Sequence, residues 1–100
     1  MSAYLIAEIT VIDPQGYESY RSKVGESLKK FGAKFLVRGG SIHPLEGDWT
    51  PERIVMCEFP NTQTAQEWYK SDDYKEVKAL RDTTARMNII CIEGIQHSRV

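Results

Sequence analysis

The chain has 100 residues, of which 41% are hydrophobic and 27% are charged, and its formal net charge is −1. This composition is typical of one globular domain, and the charge gives no reason to expect nucleic acid or an anionic membrane as a partner. No apolar run approaches the roughly 20 residues that span a bilayer, and the N-terminus lacks the basic segment of a signal peptide. We therefore expect a cytoplasmic protein with one domain over residues 1–96 and a flexible tail over residues 97–100.

The first half of the chain predicts a strand, a helix and a second strand. Residues 4–12 form an apolar run rich in β-branched residues, which indicates a strand. Asp13-Pro14 is a typical helix start, because aspartate caps the free N–H groups and proline fits the first helical position. Apolar residues then recur every three or four positions until Gly32, a typical helix end. Residues 34–38 indicate a short second strand.

The second half repeats this order. Residues 53–59 indicate a third strand, which a Pro-Asn-Thr segment ends before a helix that carries Trp68 and Tyr69. We interpret these two aromatic residues as core, with one ring at a pocket edge. A Ser-Asp-Asp segment starts a further helical piece, and residues 88–93 indicate a fourth strand. The order βαββαβ predicts a ferredoxin-like α+β sandwich, with a four-stranded antiparallel sheet, the first and third strands central, and helices on one face.

The strands are apolar on both faces, as the runs YLIAEITVI, RIVMCEF and NIICIE illustrate. In a sheet with one solvent-exposed face, apolar and polar residues should alternate along each strand. Because the helices cover only one face, we expect the sheet of a second copy of the chain to cover the other, which predicts a homodimer. The alternative is an exposed apolar sheet, which is unusual in a monomer.

Two cysteines, Cys57 and Cys91, each lie in an apolar run, and we interpret both as reduced core residues. In the predicted sheet they fall on strands that are not neighbours, which argues against a disulfide. Neither they nor the histidines have metal-ligand spacing, so we expect no metal and no cofactor.

The residues that carry a family resemblance run along almost the whole chain. They are Phe31-Gly32, Arg38-Gly39-Gly40, Glu46-Gly47, Trp49, Arg53, Glu58-Phe59, Trp68-Tyr69, Ser71, Tyr74 and Arg81. As a set they are similar to the domain-of-unknown-function 1330 family (DUF1330), within the dimeric α+β-barrel superfamily. The resemblance implies a fold and a dimer but no agreed reaction. Superfamily relatives include cofactor-free monooxygenases, haem-degrading enzymes, isomerases and stress-response proteins, so the fold alone decides no chemistry.

The segment RGGSIHPLEGDW, residues 38–49, concentrates polar chemistry between two strands that are expected to pair. Arg38 and Arg53 lie at the two ends of this connection, and the hairpin would bring them near Glu46 and Glu58. Arginine is suited to clamping a carboxylate-bearing ligand, because its planar fork donates two parallel hydrogen bonds. The alternative is an ion-pair network in which these arginines and acids neutralise one another.

Other side chains of the segment and the last helix could line the same cleft. Gly39-Gly40 fits either an ordinary turn or a loop that offers N–H groups to an anion. His43 is a candidate ligand contact, although a loop histidine before proline is more often simply solvated. Trp49 is either a plug across the dimer seam or a cleft wall. Two candidates come from the last helical piece: Tyr74 and Arg81.

Glutamates interrupt the apolar strands at Glu8 and Glu58. A carboxylate in such a position must be hydrogen-bonded, paired or raised in pKa. If desolvated beside a ligand, Glu58, or Glu46 in the loop, could act as a general acid or base.

Three hypotheses follow. The first is a homodimer that binds a small anionic or aromatic metabolite near the RGG and EG turns, with Arg38, Arg53 and Tyr74 as anchors. The second is a cofactor-independent monooxygenase or isomerase in which Glu58 or Glu46 moves a proton. The third is a structural or stress-associated dimer without catalysis.

Overall fold

The computed structural model describes residues 1–95. Its elements, in chain order, are β1 (Ala3–Val11), α1 (Pro14–Lys30), β2 (Lys34–Arg38), β3 (Arg53–Phe59), α2 (Thr62–Lys70), α3 (Asp72–Arg81) and β4 (Ala85–Glu93). The predicted βαββαβ order is confirmed, with two consecutive helices in the second half. The predicted tail over residues 97–100 lies outside the described residues.

Short polar side chains start each helix, as the sequence indicates. The Asp13 carboxylate accepts a hydrogen bond from the Gly16 backbone N–H at 3.2 Å, and Asn61 Oδ1 accepts one from the Thr64 N–H at 2.7 Å. These bonds satisfy N–H groups that a helix leaves without internal partners. Ser71 both ends α2 and caps α3, so the chain changes direction between the two helices at this residue.

The four strands form one antiparallel sheet in the order β2-β3-β1-β4, which confirms the predicted central position of β1 and β3. Side chains alternate between the two faces of a strand. The odd-numbered residues of β1, from Ala3 to Ile9, are buried under the helices. We call this side the covered face and the side of Tyr4, Ile6 and Glu8 the open face.

Aromatic residues fill the space between the covered face and the helices. Trp68 and Tyr74 are both fully buried, with ring centroids 4.1 Å apart, and Trp68 Nε1 donates to Ser27 Oγ at 3.0 Å. The hydroxyl groups of Tyr20 and Tyr74 lie 3.3 Å apart. Trp68 is therefore the predicted core residue, whereas Tyr69 is 44% exposed and lies at a cavity edge.

The two cysteines flank Leu5 of the central strand, because Cys57 and Cys91 both lie opposite this residue in the sheet. They are separated by β1 and free, as predicted. Cys57 is buried, and its burial raises the pKa of the thiol to about 11. The prediction that Cys91 is also a core residue is wrong, since it is exposed. It lies on the edge strand β4, where it lines a cavity instead of the packed core.

Apolar side chains do occupy the open face, as the strand sequences predict. The strand register places on it Tyr4, Ile6, Ile54, Met56, Ile90 and Ile92. Of these, Ile90 is 57% and Ile92 is 52% exposed in the single chain. Within the part of the chain that the structure describes, no helix is long and apolar enough to cross a membrane.

Candidate functional site

A narrow cavity of about 40 Å³ lies between α1 and the covered face. Its walls are mostly apolar, and they include Tyr20, Cys57 and Trp68. Three arginines also line it: Arg21, Arg38 and Arg53. We refer to this space as the arginine cavity. It combines an apolar interior with guanidinium groups, which suits a ligand with an apolar body and an acidic group.

A bulge in β2 turns Arg38 toward this cavity. Phe35 lies opposite Cys57, but Val37 lies opposite the next residue of β3, so Leu36 is an extra residue in the ladder. An extra residue reverses the alternation beyond it. Arg38 therefore shares the covered face with Phe35. Its guanidinium carbon lies 4.4 Å from the Phe35 ring centroid.

Arg53 lies opposite Ile9 and therefore also on the covered face. Its guanidinium group packs directly on the Gly39 backbone, where a Cβ atom would lie 2.7 Å from Arg53 Cζ. Gly39 also has a φ of +74°, a conformation that other residues rarely adopt. Gly39 is thus required both by its backbone conformation and by the arginine beside it. Arg53 Nε is buried and has no hydrogen-bond partner among residues 1–95.

The predicted ion pairs between these arginines and the two glutamates are not formed. No carboxylate within residues 1–95 lies within 4.0 Å of Arg38 or Arg53. Glu58 is five positions from Arg53 on the same strand, so the two residues face opposite sides of the sheet. Glu58 lies instead on the open face, with Oε1 3.6 Å from Lys34 Nζ. Glu46 is exposed in the connection between β2 and β3.

The structure separates the two candidates of the last helix from the arginine cavity. Tyr74 is fully buried and does not line it, but its hydroxyl contacts that of Tyr20, which does. Burial raises the pKa of both tyrosines, so both hydroxyls stay protonated. Arg81 lines a second, larger cavity of about 270 Å³ between α2, the end of α3 and β4. We refer to it as the Arg81 cavity.

Besides Arg81, the sequence indicated Tyr69 as a possible pocket-edge ring, but it did not indicate the other polar groups of the Arg81 cavity. The polar ones are Gln66 and Lys70 of α2, and Cys91 is on the opposite wall. Gln66 and Lys70 are four positions apart on an amphipathic helix, which places them on one side of it. That spacing could have predicted that the two polar side chains lie together on the surface of α2. The position of the edge strand beneath them depends on tertiary packing.

Trp49 folds over the open face, away from both cavities. Its Nε1 donates to Glu8 Oε2 at 2.8 Å, and Asn88 Nδ2 donates to Glu8 Oε1 at 3.2 Å. The Trp49 bond, followed by the Asn88 bond, holds the pKa of the Glu8 carboxyl below its usual value. Trp49 does not line the arginine cavity, and it remains 62% exposed. This placement does not fit the expectation of a wall of the arginine cavity.

The remaining candidates lie in the exposed connection. His43 is exposed, and Gly40 has open space around it, without the positive φ of Gly39. Neither lines the arginine cavity. Residues 1–95 contain no group of three or more histidine, cysteine, aspartate or glutamate side chains that could hold a metal ion.

A four-stranded antiparallel sheet in the order β2-β3-β1-β4, with helices on one face, defines a ferredoxin-like α+β protein. The sequence then identifies the family within this class. Residues 2–95 match the model of the family described as "Domain of unknown function (DUF1330)", and the chain therefore belongs to that family. The resemblance inferred from its residues is confirmed.

Solved structures with low sequence identity share the fold. A protein of unknown function from Rhodopseudomonas palustris is similar with a TM-score of 0.74 and 16% identity, over 96% of this chain and 84% of that one. A dimeric ferredoxin-like protein from Thermobifida fusca has a TM-score of 0.58 and 12% identity, over 93% of this chain and 91% of that one. A dimeric protein of ferredoxin-like fold from Bacteroides fragilis has the same TM-score and identity, over 93% and 96% of the two chains. No curated protein matches the chain.

Proposed function

We propose that this protein is a homodimer that binds a small organic anion, aliphatic or aromatic, in the arginine cavity of each subunit. The observation that carries the proposal is the state of Arg38 and Arg53. Both line a mostly apolar cavity, and neither has a carboxylate of residues 1–95 within 4.0 Å. Arg38 is exposed, whereas Arg53 is half-buried with a buried Nε that has no hydrogen-bond partner within residues 1–95. A ligand carboxylate would supply that partner, and it matches the guanidinium fork.

The dimer is supported by the open face. Ile90 and Ile92 are more than half exposed on it, beside Ile6 and Met56. A contiguous apolar surface of this kind normally marks an interface. The related folds from Thermobifida fusca and Bacteroides fragilis are described as dimeric, which agrees with this proposal.

Ligand entry requires movement of side chains at the cavity. A volume of about 40 Å³ holds little more than a few water molecules. Arg38 packs over the Phe35 ring and also donates from Nη2 to the Arg21 carbonyl at 3.4 Å. Both contacts are weak and partly exposed, so an incoming acid can replace them with a stronger charge-assisted bond.

The test is calorimetric titration of the purified protein with a panel of aliphatic and aromatic carboxylates. We expect Arg53→Ala to weaken binding by at least about tenfold, because one charge-assisted bond contributes about 1.5–3 kcal/mol. Lys23→Ala is the control, since Lys23 is an exposed cation of α1 that does not line the cavity and does not lie on the sheet. Equal affinities for the two variants, or no binding of any carboxylate, would contradict the proposal.

The two other hypotheses have less support. Neither Glu58 nor Glu46 lines the arginine cavity, so an acid or base role there would need another group. A monooxygenase or isomerase that uses Glu58 would lose turnover of an aromatic substrate in Glu58→Gln. A purely structural network of arginines and acids is disfavoured, because those ion pairs are not formed in residues 1–95.

A further inference from the structure

We propose that the Arg81 cavity is a second ligand site, separate from the arginine cavity, and that it takes a small carboxylic acid with an apolar body. At about 270 Å³ it is close to the lower end of the range for small-molecule pockets, roughly 300–1,000 Å³. It is also several times larger than the arginine cavity.

The floor of the site is the helix-facing side of the edge strand. Met87, Ile89 and Cys91 lie opposite Ile9, Ala7 and Leu5, all of them residues of the covered face. Tyr69 forms part of the wall, and its ring lies 5.4 Å from that of Tyr74, which is fixed in the core. Apolar side chains therefore surround the space in which the body of a ligand would lie.

The charge on the wall is positive and poorly compensated. The Arg81 side chain is only 11% exposed, and its buried Nε atom has no hydrogen-bond partner in the described part of the chain. The carboxylate beside it, Asp82 Oδ1, is 3.9 Å from Nε, which is too long for a hydrogen bond. Asp82 is itself 55% exposed and shared with Lys78, so solvent screens its effect.

Among residues 1–95, none that lines the cavity is acidic, whereas Lys70 lines it together with Arg81. A buried donor without an acceptor is unfavourable, and a ligand carboxylate would supply that acceptor. Two cationic groups and an apolar floor thus select for an organic acid over a neutral or cationic compound.

The two cavities are distinct in their polar groups. They share Leu5, Met87 and Ile89 as a common wall, but the arginines differ, since Arg38 and Arg53 line only one and Arg81 lines only the other. Removal of an arginine from one cavity therefore leaves the polar contacts of the other unchanged. This separation lets one experiment distinguish the two proposals.

Cys91 provides a reporter inside the site. Its thiol is exposed and lines the Arg81 cavity, whereas Cys57 is buried with a pKa of about 11 and should not react with a water-soluble disulfide reagent. The experiment measures the rate of Cys91 modification on the full chain, with and without phenylacetate as the probe. Peptide mass spectrometry confirms which thiol reacts.

We expect phenylacetate at about ten times its Kd to slow Cys91 modification about tenfold, because about nine sites in ten are then occupied. The neutral analogue phenylacetamide, at the same concentration, should give little protection. Arg81→Gln should lose the protection, and Arg86→Gln, an exposed arginine on the same strand as Cys91, should retain it. Lys70→Glu, an exposed change that should not affect folding, should weaken protection if Arg81→Gln proves unstable.

Three results would overturn the second site: no protection by phenylacetate, equal protection by the amide, or full protection in both Arg81→Gln and Lys70→Glu. Arg53→Ala separates this proposal from the proposed function. If Cys91 protection survives in Arg53→Ala, the Arg81 cavity binds independently. If phenylacetate no longer protects Cys91 in Arg53→Ala but still protects it in Arg81→Gln, the probe binds only in the arginine cavity. The proposal of a second site is then wrong.

Discussion

The charged side chains on the two faces of the sheet differ in whether they have partners. On the open face, Glu8 accepts two hydrogen bonds and Glu58 lies near a lysine ammonium group. On the covered face, Arg38 and Arg53 have no carboxylate of residues 1–95 within 4.0 Å. The open-face carboxylates already have protein partners, whereas the half-buried Arg53 has a buried Nε without a partner within residues 1–95, which a ligand carboxylate would supply. The difference supports assembly on the open face and ligand binding on the covered face.

The largest expected effect is on assembly. Ile90→Lys would place an unpaired ammonium group in the proposed dimer interface, and such a buried charge costs about 3–5 kcal/mol. The dimer dissociation constant should therefore rise by about two orders of magnitude or more. Sedimentation velocity over a range of protein concentrations measures this constant.

Ile12→Lys is the matched control for the assembly test. Ile12 is 55% exposed, close to the 57% of Ile90, but it follows the end of β1 instead of lying within the sheet. The control should remain as dimeric as the unmodified chain. A monomeric parent protein, or equal effects of the two variants, would contradict the role given to the open face.

A smaller effect, on the free energy of unfolding, is expected from a substitution at Gly39, which packs against Arg53 on the covered face. Gly39→Ala places a methyl group against the Arg53 guanidinium and forces alanine to adopt a φ of +74°. Strain of this kind costs about 1–3 kcal/mol. We expect a loss of this size in the free energy of unfolding, measured with urea, together with weaker carboxylate binding because Arg53 must move.

Gly40→Ala is the control for this variant. A Cβ atom at Gly40 meets no other atom within 4 Å, and this glycine has no positive φ. Its stability should change little, or increase slightly because alanine restricts the unfolded chain. If Gly39→Ala proved as stable as Gly40→Ala, the proposed coupling between the turn and Arg53 would be wrong.

Local signals explain why the fold was predictable. Asp13, Asn61 and Ser71 each cap a helix through a hydrogen bond to a backbone N–H three positions later. Because both partners are close in sequence, these caps can be predicted from a short stretch of the chain. Strand order follows from the repeated βαβ pattern, and the two apolar faces follow from strand sequences that are apolar at both odd and even positions. The same reasoning covered the core position of Trp68 and the separation of the two cysteines.

The site was only partly predictable. The bulge at Leu36 reverses the direction of Arg38, and such a bulge arises from pairing with β3, which the sequence of β2 does not reveal. The missing pair between Arg53 and Glu58 could have been predicted, because an odd spacing along a strand places two side chains on opposite faces. The exposure of Cys91 depends on how far α2 and α3 extend over β4, which is a property of the packing.

The smallest expected effect concerns the satisfied carboxylate of the open face. Trp49→Phe removes the donor that mainly lowers the pKa of Glu8, and Asn88→Ala removes the lesser one. A carboxyl group whose pKa is lowered in the folded state adds stability above its unfolded pKa, and that stability is lost as the pH falls through the folded pKa. The melting temperature of the unmodified protein should therefore fall on acidification below the usual glutamate range, and Trp49→Phe should reduce this dependence.

Trp49→Phe and Asn88→Ala together test which hydrogen bond lowers the pKa of Glu8 more, as well as whether each lowers it. NMR titration of Glu8 should show a larger upward pKa shift in Trp49→Phe than in Asn88→Ala, because the Trp49 bond is both the shorter and the stronger. If Trp49→Phe left the pKa of Glu8 unchanged, Trp49 would not contact this carboxylate in solution. The Glu8 carboxylate would then keep only the Asn88 hydrogen bond, and the contrast between the partnered charges of the open face and those of the covered face would be weaker.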